Sequence, residues 1–206
     1  MSIVELLILI FILLFSITFH EYAHGFVAYK LGDQTPKIAG RLTINPTKHI
    51  DLLGTIILPF LLIILTGGYA FGYAKPVPIN PYNFKNPKKD IMWVGIAGPL
   101  SNLILALVMS LIMKLGLISA IKLPLQYGII INLVLFIFNL IPIPPLDGSR
   151  IVTAFLSSKN AYRYLKMETV GFVVIIVLIF SGFIRWLIIP ILKILITILG
   201  IPDIDI

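Results

Sequence analysis

The chain has 206 residues, 59% of them hydrophobic and only 12% charged, against about 25% charged in an ordinary soluble domain. Its net charge of +7 is spread between apolar runs, not gathered in the stripe of a nucleic-acid surface, so no nucleic-acid partner is expected. Cysteine is absent, which excludes disulfides and thiolate chemistry and leaves histidine and carboxylates as the available metal ligands.

The first predicted element is "IVELLILIFILLFSITF", apolar from Ile3, with no basic n-region and no small-residue cleavage site. It reads as a retained spanning helix, not a signal peptide. The run continues directly into "HEYAH" at 20–24. On a helix, positions i and i+4 share one face, so His20 and His24 can offer two imidazole nitrogens to a single zinc ion. Glu21 is then placed to act on the attacking water as general base. Each ionisable side chain at mid-membrane costs roughly 2.5–3.5 kcal/mol on insertion scales, so three together call for a compensating cation.

Catalytic zinc takes a third protein ligand and keeps one position open. Two candidates follow along the chain. His49 lies in the polar loop "NPTKHID", and Asp147 closes "FNLIPIPPLDGSR", where Pro142, Pro144 and Pro145 interrupt regular helix. Upstream of His49, the loop over 32–50 contains "RLTI", an alternation compatible with a short β element. "LLGTIILPFLLIILTGGYAFGY" is short, contains Pro59 and ends at Gly67-Gly68. "MWVGIAGPLSNLILALVMSLIM" and "YGIIINLVLFIFNLI" are full-length spanning candidates. The C-terminal third opens with the polar "SSKNAYRYLKMET" and continues as an apolar stretch carrying Gly182, Arg185 and Pro190. It is expected to form two short helices, or one span and an interfacial helix.

Taken together, "HEYAH", "GRLTINPTKHIDLLGT", "GYAKPVPIN", "AGPLSNL" and "NLIPIPPLDG" resemble the site-2 protease family of intramembrane zinc metalloproteases, in its short prokaryotic form without a PDZ domain. The resemblance covers about Thr18 to Arg150. It implies a zinc metalloendopeptidase that hydrolyses peptide bonds in or near transmembrane segments of membrane-protein substrates. It also implies one zinc ion held by His20, His24 and Asp147, with Glu21 activating water. Asn139 occupies a position associated with substrate or oxyanion contact, and Asn102 falls in a further motif and is the weaker active-site candidate. Two competing readings are a transporter or metal carrier using the His/Glu cluster, and a non-catalytic scaffold of the same fold.

The expected fold is an all-α polytopic membrane protein, a bundle of about four to six transmembrane helices. Residues 1–156 would form the metalloprotease core, and 157–206 a helical extension packed on it within one membrane domain. His20 lies about 25 Å along the first helix at 1.5 Å per residue, near its exit face. Asp147 also follows the exit end of its helix, so both helices must run in the same direction. One intervening segment must therefore fail to cross, and 52–70 is predicted to be re-entrant or interfacial. This threading gathers Lys30, Arg41, Lys75, Lys88, Arg150, Lys166 and other cations on the catalytic face, leaving Lys114 and Lys122 opposite. The positive-inside rule then turns the catalytic face of this multi-pass cell-membrane protein to the cytoplasm, where the same cations can also meet anionic lipid headgroups.

Overall fold

Helix α1 (Ile3–Lys30) begins where Ser2 and Glu5 close a capping box. The Glu5 amide donates to Ser2 Oγ at 3.2 Å, and the Ser2 amide donates to the Glu5 carboxylate at 2.8 Å. It stops at Gly32, whose φ of 111° carries the chain out of the helix. A single turn, α2 (Thr35–Ile38), follows, then a 3₁₀ turn (Pro46–Lys48) and a six-residue π-helical stretch (Leu52–Ile57). A second 3₁₀ turn (Pro81–Asn83) leads into α3 (Pro87–Lys114), which starts on Pro87, a residue whose missing amide would be unpaired there anyway. Next come α4 (Lys122–Asn139), α5 (Asp147–Thr153) and α6 (Ser158–Leu165). The chain closes with α7 (Glu168–Phe180) and α8 (Phe183–Ile198). This computed structural model describes residues 2–57, 72, 74–116 and 121–201.

Helices α1, α3 and α4 are each long and apolar enough to cross a bilayer, and α7 with α8 makes a fourth candidate span bent by 75°. The bend falls at Gly182, which has φ 76°. The protein is therefore an all-helical membrane protein with three to four spans among the described residues. The apolar C-terminal stretch contributes this one bent pair. Of the segment predicted to be re-entrant, 58–70 lies outside the described residues. The alternating stretch 41–44 forms no strand. Its polar groups are engaged locally instead: the His49 ring donates Nε2–H to Thr43 O at 2.8 Å, and the Asn45 amide donates to Thr43 Oγ at 3.2 Å.

Side-chain register gives the helix directions. Ile12 of α1 lies beside Gly128 of α4, and Ser16 bonds Asn132 one turn further along both helices. Helices α1 and α4 are therefore parallel, as the meeting of their downstream ends requires. Helix α3 runs against both: Val94 meets His24, Asn102 meets His20, and Met109 meets Gly128. Consequently α1 ends and α3 begins at the same face.

The largest buried apolar cluster joins Ala106 of α3, Ile129, Leu133 and Ile137 of α4, and Ile184, Ile188, Leu192 and Ile196 of α8. The outward faces carry exposed Leu7, Phe11, Leu111, Val173 and Trp186, as expected where the surrounding solvent is lipid. Two glycines set the packing around α5. A Cβ at Gly148 would stand 2.6 Å from Ile141 O, so α5 can begin hard against the end of α4 only without one. A Cβ at Gly171 would collide with Pro144 O, and its absence lets α7 lean on the Pro-rich turn.

Candidate metal centre and active site

Three donors from distant parts of the chain converge near the downstream ends of α1 and α4. His20 Nε2 lies 3.0 Å from Asp147 Oδ2, His24 Nε2 lies 3.1 Å from the same oxygen, and the two Nε2 atoms are 3.0 Å apart. All three residues are buried. The one-turn spacing on α1 supplies the two imidazoles. Asp147 is the first residue of α5 and is delivered by the turn after Leu140, where Leu146 N donates to Ile143 O and Ser149 N to Leu146 O.

These three atoms could hold one metal ion. Ligands at about 2.0–2.1 Å in a tetrahedral zinc site stand about 3.3 Å apart, close to the observed triangle. The surroundings also leave the space open. A Cβ at Gly98 would lie 2.5 Å from His24 Cε1 and 2.6 Å from His20 Nε2 and would strike His24 Nε2, so α3 presents bare backbone to the cluster. The donor set of two imidazoles and a carboxylate suits zinc.

Each ring is held from behind. His24 Nδ1 lies 2.6 Å from Val94 O, and because a carbonyl only accepts, Nδ1 carries the proton and Nε2 faces the cluster as a lone pair. His20 Nδ1 lies 2.6 Å from Asn102 Oδ1. The second Asp147 oxygen faces Arg150 Nη1 at 3.6 Å. Gly95 makes room for that arginine, since a Cβ there would lie 2.8 Å from Arg150 Cβ.

The cluster opens onto a cavity of about 610 Å³ lined by His20, Glu21, His24, Asn139, Asp147 and Arg150, together with apolar groups from α1, α4, α7 and the stretch around Val77. Glu21 is half-buried, and its Oε2 accepts the Val77 amide at 2.9 Å. Asn139 lines the cavity while its amide donates to Leu135 O at 3.0 Å, one turn back on α4.

The structure thus brings His20, Glu21, His24, Asn139 and Asp147 to one cavity. It places two other candidates elsewhere. His49 is buried in the loop, with Nε2–H on Thr43 O and Nδ1 without a partner among the described residues, and it is not part of the His/Asp cluster. Asn102 is fully buried behind His20 and does not line the cavity. Sequence reasoning missed Asn132 and Ser16, which continue the polar contacts behind Asn102. Their signal was a polar side chain inside an apolar spanning run. It also missed Gly98 and the Val94 carbonyl, and the latter leaves no trace in residue identity.

Spanning helices around a buried two-histidine, one-carboxylate centre that opens on a cavity define a membrane-embedded metalloprotease. The chain belongs to peptidase family M50, whose model matches residues 8–122 and 117–182. It is 43% identical to YwhC of Bacillus subtilis over 180 residues, 82% of this chain and 78% of that protein. It is 31% identical to Rip2 of Mycolicibacterium smegmatis over 183 residues, 84% of this chain and 67% of the relative. Both are named as zinc metalloproteases. So is MJ0392 of Methanocaldococcus jannaschii, 34% identical over 164 residues, which are 79% of this chain but 38% of the relative. No solved structure matches the chain significantly. The protein is a zinc metalloprotease of the site-2 type, and its cluster could hold one zinc ion.

Proposed function

We propose that this protein hydrolyses peptide bonds in or near transmembrane segments of membrane-protein substrates, with His20, His24 and Asp147 holding the zinc and Glu21 as general base. The observation that carries the reading is the convergence of three buried donors, 127 positions apart at the extremes, on a cavity that Glu21 also lines. Bound there, zinc supplies a Lewis acid for the scissile carbonyl and acidifies the attacking water. The chain's own residues do the rest. Val77 N–H fixes one oxygen of Glu21, leaving Oε1 to take a proton from the water and return it to the leaving amine. In this reading Asn139, at the cavity wall, donates its second amide hydrogen, the one not on Leu135 O, to the developing oxyanion. The apolar lining accepts substrate side chains.

In this reading residues 1–156 carry the chemistry and 157–206 support it. The cation-rich face that bears the site turns to the cytoplasm, next to anionic lipid. The test uses purified protein in lipid nanodiscs with a generic single-span substrate. Wild type should cleave it and lose activity to a chelator. Glu21→Gln should keep zinc yet lose about 10²–10⁴-fold in rate. Cleavage by Glu21→Gln at the wild-type rate overturns the base assignment, and metal flux without proteolysis would support a carrier instead.

A further inference from the structure

Behind His20 lies a chain of amides that the chemistry above leaves unused. Ser16 of α1, Asn102 of α3 and Asn132 of α4 come from three helices and are all completely buried. Asn132 Nδ2 donates to Gly128 O at 2.8 Å and to Ser16 Oγ at 2.9 Å. Asn102 Nδ2 donates to Asn132 Oδ1 at 2.8 Å and reaches Ser16 O at 3.4 Å. Asn102 Oδ1 then meets His20 Nδ1.

We infer that Asn132, acting through Asn102, is a positioning residue that fixes which nitrogen of His20 is free to bind zinc; this rests on the zinc reading above. A backbone carbonyl cannot donate, so Gly128 O requires the nitrogen end of the Asn132 amide. That choice leaves Asn132 Oδ1 facing Asn102 and so draws the nitrogen end of the Asn102 amide towards it. Asn102 can then offer His20 only its oxygen, which cannot donate either. His20 must carry its proton on Nδ1, and Nε2 is left as the lone pair aimed at Asp147 and His24. An asparagine without such orientation could present its NH₂ group to His20 and favour the opposite tautomer, in which Nε2 bears the proton and cannot ligate. Complete burial matters here, because it leaves no bulk water to replace a lost link.

The bland alternative is that these side chains merely join three helices. Zinc affinity of the full chain, measured by competition with a chelator, separates the two. Asn132→Thr can still satisfy Gly128 O by bonding back four residues, but is too short for Asn102. It should weaken zinc binding by about 10–100-fold while keeping wild-type helicity. Adding Asn102→Asp supplies an acceptor whichever way the side chain turns, so the double variant should regain at least about tenfold of that loss. Wild-type affinity in Asn132→Thr overturns the inference, and so does a double variant no better than the single one. If Asn132→Thr loses helicity, Asn132→Ser carries the same comparison. A wild type that takes up no zinc overturns the proposed function itself, a distinct result.

Discussion

Gly98→Ala tests the centre with one methyl group. The added carbon would stand 2.5 Å from His24 Cε1 and 2.6 Å from His20 Nε2. Comfortable non-bonded separations begin near 3.5 Å, so the rings or helix α3 must retreat by about 1 Å. Neither has an easy way out. His24 is tied to Val94 O and His20 to Asn102, both on α3 itself, so moving α3 away drags those bonds with it. Overpacking of this kind costs about 1–3 kcal/mol in folding free energy. The larger effect falls on the donor triangle, since a shift of about 1 Å in a catalytic arrangement costs about 10²-fold in rate. We expect zinc affinity and substrate cleavage to fall together by at least that factor, with helicity by circular dichroism near wild type. Leu100→Ala, on the exposed side of the same helix, is the control and should change neither. Full zinc occupancy and normal turnover in Gly98→Ala would refute the close approach of α3 on which the site geometry rests.

Three further outcomes are expected. His49→Ala should leave zinc stoichiometry at the wild-type value by elemental analysis, because both ring nitrogens lie away from the cluster. Val77→Pro removes the amide that holds Glu21 Oε2 and should lower kcat by about tenfold or more, the scale of one hydrogen bond to a charged group, with zinc retained. Asp33 gives a pH signature. Burial disfavours its charge, but the Thr35 hydroxyl, the Asn80 amide, the Asn83 side chain and the Thr35 amide all donate to it and hold its pKa below the ordinary 3.8. A group depressed in this way stabilises the fold above its unfolded pKa and loses that contribution as pH falls through the folded one. Protection of the Asn80 amide, its exchange rate relative to the unfolded chain, should therefore be lost only as pH falls below 3.8 in wild type, and Asp33→Asn should show reduced protection at neutral pH already.

Much of this was legible because membrane helices announce themselves by length and apolarity, and a metal centre inside them by residues too polar to be there. The "HEYAH" turn and the proline-flanked Asp147 stood out against that background. Gly182 marked where the C-terminal apolar run divides into two helices, but the 75° angle between them was not legible, since packing sets it and not residue identity. The expectation of a strand near "RLTI" rested on an alternation only four residues long; there the His49 ring takes the Thr43 carbonyl and the Asn45 amide takes the Thr43 hydroxyl instead. Asn132 gives no signal of its own, since a single asparagine in an apolar helix looks like interhelical glue. Only its neighbours give it direction.

The two imidazoles rest on unlike supports. His24 leans on main chain at Val94, which no substitution can delete without displacing the helix. His20 leans on a side chain. Genetic damage to this enzyme should therefore be lopsided. Changes scattered over α3 and α4, none touching the ion, can quietly disarm His20 by loosening its support, a route that is closed for His24.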